Sequence, residues 1–267
     1  MAIDAPVRRR WIEAGVVAGV FLLAFLFIAP AVERAKESSR QSMSKNNLKQ
    51  IGIALSTYHE VHGMLPYGGV FDEQGTPFHG WMTAIGRYTA ALPYHEFPDP
   101  NFPWDDPVNL ERAFHQFASP FQNPSMAERK SIDGLPLAHY AANQRLFYRN
   151  SVVTLKDVPQ QNATALVGDC NGNFLPMGSP FQWRDLSLGI GTTPDGFGCP
   201  TRDITMFLMA DGSVRALNNR TDAAVAQALA GPASLAPTPD QVAKPSVRYR
   251  LKTRRGKTLS LIESQPP

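Results

Sequence analysis

Cysteine is nearly absent: Cys170 and Cys199 are the two in a chain of 267 residues. That excludes a cysteine-rich disulfide scaffold and a zinc site built on four thiolates. An excess of one charge is missing too, since 26 Lys and Arg stand against 23 Asp and Glu, a net charge of +3. Seven of the cations, Lys244, Arg248, Arg250, Lys252, Arg254, Arg255 and Lys257, crowd into the last stretch. Without them the chain is slightly acidic, so the isoelectric point near 8.9 does not point to nucleic acid, and no nucleic-acid partner is expected. The chain has no Gly-x-Ser-x-Gly elbow, no phosphate loop, no Gly-x-Gly-x-x-Gly and no Cys-x-x-Cys-His. An enzyme is therefore not supported and no cofactor is expected. No internal repeat is present. Helical periodicity is scarce beyond residue 62, where much of the chain's 23 Pro and 20 Gly favours short strands joined by long loops.

What the chain does have is concentrated at its start. Arg8, Arg9 and Arg10 precede an apolar run, residues 11–29, in which Glu13 is the sole charge. A bilayer core needs roughly 20 helical residues, so the run fits a retained transmembrane helix. A cleaved secretory signal is the alternative, because Ala29-Pro30-Ala31 is a small-x-small site, but the run exceeds the length of a signal core. Glu13 either snorkels to the interface or serves helix assembly; an acid at the bilayer centre costs about 2.5–3.5 kcal/mol, and less near an interface. The three arginines put the amino terminus inside, whereas Arg34, Lys36, Arg40, Lys45 and Lys49 beyond the run argue the reverse. Periodicity resumes directly after Pro30, which predicts a kink and not a stop. Leu48, Ile51, Ala54, Leu55 and Tyr58 recur at spacings of three and four and form one stripe, suited to docking a sheet. His62-Gly63 and Pro66 close the helix.

Downstream, short helices are expected at 81–92, 110–117 and 221–230, and strands at 138–142, 151–155 and 164–168. The plainest hairpin joins 204–210 to 213–217 through Asp211-Gly212, a two-residue turn pair. Residues 231–245 read as an Ala/Pro/Ser linker. Residues 246–262 alternate, and read equally as a small basic hairpin or a disordered tail.

Four groups invite chemistry. His59 and His62 stand three apart at a helix end and supply two metal ligands at most, short of a zinc site; solvated histidines are the plainer reading. Asp169, Asn171 and Asn173 repeat the first alternating oxygens of a calcium loop, yet Phe174 and Pro180 stand where Gly and Glu are required, so a turn is preferred. Trp104, Asp105 and Asp106 pair carboxylates with an aromatic ring, but a capped turn with a packed tryptophan explains them without a site. Cys170 and Cys199 suit a disulfide in an oxidising compartment, with two buried free thiols as the alternative.

The blocks Asn46-Asn47-Leu48-Lys49-Gln50-Ile51-Gly52, Pro103-Trp104-Asp105-Asp106-Pro107, Tyr140-Ala141-Ala142-Asn143 and Ala210-Asp211-Gly212-Ser213-Val214 carry a resemblance. Together with Glu13 and Pro30, they resemble the prepilin-like family abundant in planctomycete-type bacteria, whose amino termini are similar to type IV pilins and type II secretion pseudopilins. Behind that start the family carries a domain of unknown function, once labelled solute-binding. The likeness covers about residues 8–230. It implies an α+β, pilin-like fold, with a long transmembrane-plus-stalk helix on an antiparallel sheet. It implies a single-pass inner-membrane protein, amino terminus inside and domain in a periplasm-like space, with membrane lipid, protein partners or self-association through the helix. The organisation expected is a basic segment 1–10, a membrane helix 11–30, a stalk 31–62, a globular domain 63–230 and a tail 231–267. The chain also departs from the family. Arg8 occupies the place of the processing glycine, Ser44 and Asn123 replace two cysteines whose joint loss implies that they normally pair, and Thr201 replaces a histidine.

Overall fold

The structure, a computed structural model, describes residues 5–89, 97–111, 120–244, 249–252 and 258–261. Two compact units divide it, Met1–Ser42 and Met43–Pro267. One helix, α1 (Ala5–His62), supplies the first unit and enters the second, and it runs unbroken through Pro30. In the first unit its polar part carries two ion pairs one turn apart, Lys36 Nζ to Glu33 at 2.8 Å and Arg40 to Glu37 at 3.8 Å. Val16, Phe21, Phe25, Leu26, Phe27 and Ile28 are exposed. Among the described residues no helix is long and apolar enough to cross a membrane.

In the second unit, α1 does what its stripe predicts. Leu48, Ile51, Ala54 and Leu55 are buried in one core with Tyr140, Ala142, Leu166, Val167, Met206 and Leu208 of a five-stranded sheet. Gly52 makes the close approach possible: a Cβ there would sit 2.8 Å from Leu208 Cδ1. The sheet is built from β3 (Tyr140–Asn143), β4 (Ala165–Asp169), β5 (Trp183–Arg184), β6 (Ile204–Met209) and β7 (Val214–Asn218), in the order β5-β3-β4-β6-β7. Before it in the chain come the pair β1 (Gly69–Phe71) and β2 (Pro77–Gly80), then the short helices α2 (Trp81–Gly86) and α3 (Pro107–Asn109). After it come α4 (Ala223–Leu229), α5 (Pro239–Val242) and the paired strands β8 (Tyr249–Lys252) and β9 (Thr258–Leu261). β3 and β4 are buried at every position, so each face needs cover. α1 supplies one; a second core, around Phe197, Phe207, Leu186 and Leu229, supplies the other.

Several expectations need correction. The sheet is mixed and not purely antiparallel, because β3 and β5 run parallel, Ala142 opposite Trp183. No strand forms at 151–155: Thr154 and Asp157 cap each other and wind Leu155–Asp157 into a 3-10 turn. The first short helix ends at Gly86 and passes into a turn through Thr89, while 90–92 and most of 110–117 lie outside the described residues. The Asp211-Gly212 turn has a three-residue loop. Gly212 N–H closes on Met209 C=O at 3.0 Å, and Gly212 alone takes positive φ, at 80°. Residues 231–242 are not a linker, since Leu235 packs on the core, Arg145 Nη1 donates to Gly231 O at 2.6 Å and Arg149 N–H donates to Gln241 O at 3.2 Å. Cys170 and Cys199 are buried free thiols, not a disulfide. Cys170 sits in the apolar second core, while the Cys199 sulfur is engaged by polar neighbours.

Candidate functional site

The carboxyl of Asp169, at the end of β4, has no solvent exposure. Its Oδ1 accepts from Asn123 Nδ2 at 2.7 Å and, at the long limit of 3.5 Å, from Ser44 Oγ of α1. Its Oδ2 accepts from the Met206 amide of β6 at 2.7 Å and pairs with Arg202 Nη2 at 3.6 Å. Burial, the largest effect, pushes the carboxyl up to about 6 against the pull of those donors and of Arg202. Tyr140 Oη lies 3.0 Å from Ser44 Oγ and accepts from Asn47 Nδ2 at 3.4 Å. Burial also raises Tyr140, which stays a neutral phenol, and with the Ser44 hydroxyl donating to Asp169 the phenol is left to donate to the serine. Asn47 reaches in addition to Gln122 O at 2.9 Å. One carboxylate thus ties α1, β4, β6 and two loops together in an interior where an unmet polar group is costly.

Arg202 connects this interior to the surface. Its side chain is 4% exposed, and its Nε donates to Cys199 Sγ at 3.2 Å. Thr201 Oγ1 lies 3.4 Å from the same sulfur. Asn219 Nδ2 holds the backbone carbonyls of Cys199 and Arg202, at 3.3 and 2.8 Å. These residues, with Asn171, Gly191, Pro200 and Asp203, line a cleft of ≈ 410 Å³. Amide, hydroxyl and carboxyl groups at its wall suit hydrogen bonding to a small polar group. Asp169, sealed behind the wall, cannot touch a solute and acts by position.

Arg184 settles the calcium-like motif. Its guanidinium donates to four backbone carbonyls: Nη2 to Gly172 at 2.5 Å and Asn173 at 3.1 Å, Nη1 to Pro194 at 2.5 Å and Gly196 at 3.1 Å. Asn171 and Asn173 donate across the same two loops, to Thr193 O at 2.9 Å and Asp195 Oδ1 at 2.8 Å. Within the motif the carbonyls of Gly172 and Asn173 are already on a cation, and the Asp169 carboxyl is taken by Asn123, Met206 and Arg202 instead. His139 is buried beside the carboxylate network. Its Nδ1 accepts from the Asn123 amide at 3.0 Å and its Nε2 donates to Glu128 O at 2.7 Å; burial pushes it down to about 4.

The residues singled out in the sequence divide sharply. Asn47 and Leu48 join the network and the core, and Gly52 meets Leu208. Asn46, Lys49 and Gln50 are exposed on the opposite side of α1. Glu13 and Pro30 are exposed on the first unit's helix. Trp104 is buried, Asp106 caps α3 by accepting from Val108 N at 2.9 Å, and burial raises Asp105, so this block is the capped turn it resembled. Asp211 accepts from Ser213 N at 2.9 Å and serves only its turn. His59 and His62 go to separate partners, Leu155 N at 3.3 Å and Tyr88 Oη at 3.1 Å. Sequence reasoning missed Asp169, Arg202, Tyr140 and Asn219 as a unit. The signal available was indirect, in the positions where the chain departs from the family it resembles. Ser44 and Asn123 both reach Asp169 Oδ1, and Thr201 lies against Cys199, the sulfur that Arg202 holds.

Ser44 and Asn123 meet at one oxygen, which makes their cross-linking testable. The double substitution S44C/N123C should form a disulfide when the protein is purified without reductant, seen as the loss of two hydrogens by intact mass. Closing a loop of that length stabilises a fold by about 4 kcal/mol in the chain-entropy account. Two thiols that remain open to alkylation in the folded double variant would disprove the predicted proximity of the side chains.

A family profile described as SBP_bac_10, protein of unknown function (DUF1559), matches residues 33–176, more than half of the chain. It takes in Ser44, Asn123, Tyr140 and Asp169, the centre of the buried network. No curated protein and no solved structure matches the chain. By that match the chain belongs to the SBP_bac_10 family, the proteins of unknown function grouped as DUF1559.

Proposed function

We propose that the protein is a non-enzymatic, membrane-anchored envelope protein of pseudopilin-like build. In this reading residues 11–30 lie in the inner membrane, and the domain outside contacts protein partners or further copies through α1 and its loop-rich face. The observation that carries the reading is α1 itself. It bears exposed phenylalanine, leucine and isoleucine side chains between Phe21 and Ile28 at 58–76% exposure. The same helix later buries Leu48, Ile51 and Leu55 fully in the domain core. A contiguous exposed apolar surface is costly in water and marks contact with lipid or protein. A single element that is greasy outside the domain and amphipathic within it suits an anchor and its support.

The cleft favours a second reading, a tethered or secreted module that binds a small solute or glycan, because its wall gathers polar groups at one concavity. Intact mass and amino-terminal sequence of the native protein, from membrane and soluble fractions, separate the two. A full-length species that resists carbonate extraction from membranes is the expected result. A soluble species beginning at Val32 would overturn the anchor and promote the exported module.

A further inference from the structure

We propose that the cleft beside residues 199–203 binds a small hydroxylated solute that carries a protonated amine, with the Asp203 carboxylate holding the ammonium. This rests on the second reading above, a module that takes a solute in this cleft, and it names the chemistry of that solute.

The volume of ≈ 410 Å³ falls within the roughly 300–1,000 Å³ usual for small-molecule sites. A glycine keeps part of its lining open. At Gly191, where φ is 72°, a Cβ would lie 2.7 Å from Asn219 Cβ.

What such a cleft can bind follows from which of its polar groups the fold already engages. Its donors are largely engaged. Asn219 Nδ2 donates to the carbonyls of Cys199 and Arg202, at 3.3 and 2.8 Å. Asn171 Nδ2 donates to Thr193 O at 2.9 Å. The backbone amides of Asn171, Gly191 and Asn219 donate to Gly196 O at 3.2 Å, Phe197 O at 2.7 Å and Asp203 O at 2.8 Å. The Arg202 amide donates to Cys199 O at 3.2 Å, and Pro200 has no N–H. The Arg202 guanidinium is turned into the fold, with its Nε on Cys199 Sγ at 3.2 Å and its Nη2 3.6 Å from Asp169 Oδ2.

Acceptors are what remain. Asp203 is exposed, and its carboxylate makes no hydrogen bond or ion pair among the described residues. Asn171 Oδ1 has no donor there either, and the bond from Nδ2 fixes which end of that amide is the oxygen. Thr201 adds an exposed hydroxyl. A wall with engaged donors and open acceptors calls for a ligand that brings N–H and O–H groups. An uncompensated carboxylate favours a positive one, because a charge-assisted bond is the stronger kind. The Arg202 charge is set against Asp169 and does not offset Asp203. No aromatic ring is among the lining residues, so a flat apolar solute has nothing to stack on.

Equilibrium dialysis of the full-length protein in neutral detergent micelles tests this with glucamine, sorbitol and gluconate, polyols of one size that differ in charge at one end. At about pH 7.5 the amine is protonated and the acid ionised. Glucamine should bind about tenfold more tightly than sorbitol, the low end for a bond to a charged group because Asp203 faces water, and gluconate should bind least. Asp203→Asn should remove the advantage of glucamine and leave sorbitol unchanged. Thr201→Lys, which sets an ammonium of the protein's own beside the carboxylate, should abolish glucamine binding. Both residues are exposed, so both variants should fold. Sorbitol or gluconate binding as tightly as glucamine, or glucamine binding that survives either substitution, overturns the amine and leaves a solute-binding cleft. No binding of any of the three overturns the amine and the second reading together.

Discussion

Asp169→Ala should destabilise the domain by about 3–5 kcal/mol, because it breaks a buried ion pair with Arg202 and removes the acceptor of two further donors. The carboxyl is not in itself a bargain for the fold, since burial raises its proton affinity to about 6. Its removal is nonetheless expensive. Asn123 Nδ2 and the Met206 amide lose an acceptor, and Arg202 Nη2 loses the carboxylate 3.6 Å away, in a place water does not reach. Asp169→Asn, which keeps the shape and one acceptor, should cost less. Urea unfolding followed by tryptophan fluorescence is a suitable measurement, as Trp81, Trp104 and Trp183 are all buried. A loss under 1 kcal/mol in Asp169→Ala would mean that Arg202 finds water or another partner with ease.

A second substitution should be worse. Gly68→Ala is expected to leave no stably folded domain, a loss of about 4 kcal/mol or more. A Cβ at residue 68 would lie 2.4 Å from the Phe147 carbonyl carbon and 2.4 Å from the Tyr148 nitrogen, backbone atoms on both counts. Nothing there is the flexible end of a side chain. The position cannot simply shift, because the Gly68 amide donates to Ser151 Oγ at 3.1 Å and its carbonyl accepts from Trp81 N at 3.2 Å. Gly63→Ala is the matched control. Gly63 has φ of 74° but open space where a Cβ would go, so only the backbone penalty of about 1–2 kcal/mol applies. Limited proteolysis would separate the pair, with Gly63→Ala resisting and Gly68→Ala digested. A protease-resistant Gly68→Ala would mean that the two segments lie farther apart than described.

Local patterns were legible before the fold was seen. The stripe of α1 needs only a period of three to four, and Leu48, Ile51, Ala54 and Leu55 turned up in the core as read. Asp211-Gly212 marked a hairpin, although its loop proved one residue longer than the dipeptide suggests, because only the glycine takes positive φ. The capped turn at Asp106 followed from a short polar side chain ahead of Pro107. The network around Asp169 was not legible. Its partners are 125 and 46 residues away, at Ser44 and Asn123, and no period or spacing encodes contacts at that separation. Residues 151–155 misled because Val152 and Val153 look strand-like, while the Thr154–Asp157 capping exchange, a local hydrogen-bonding choice, wins over their β-propensity. The cysteines misled for a different reason. Loop length argues for a bond only when the two sulfurs meet, and here each has its own surroundings, Cys170 in the second core with Arg184 and Cys199 with Thr201 and Arg202.

Arg184 has a consequence for where such a domain can live. A loop that gathers four carbonyl oxygens commonly borrows a metal ion to hold them, and its shape then follows the supply of that ion. Here the positive charge is carried on the protein's own chain. The form of these two loops is therefore tied to a side chain of the fold and not to the ionic make-up of the surroundings. A covalently supplied cation is, for these loops, a form of independence from the environment.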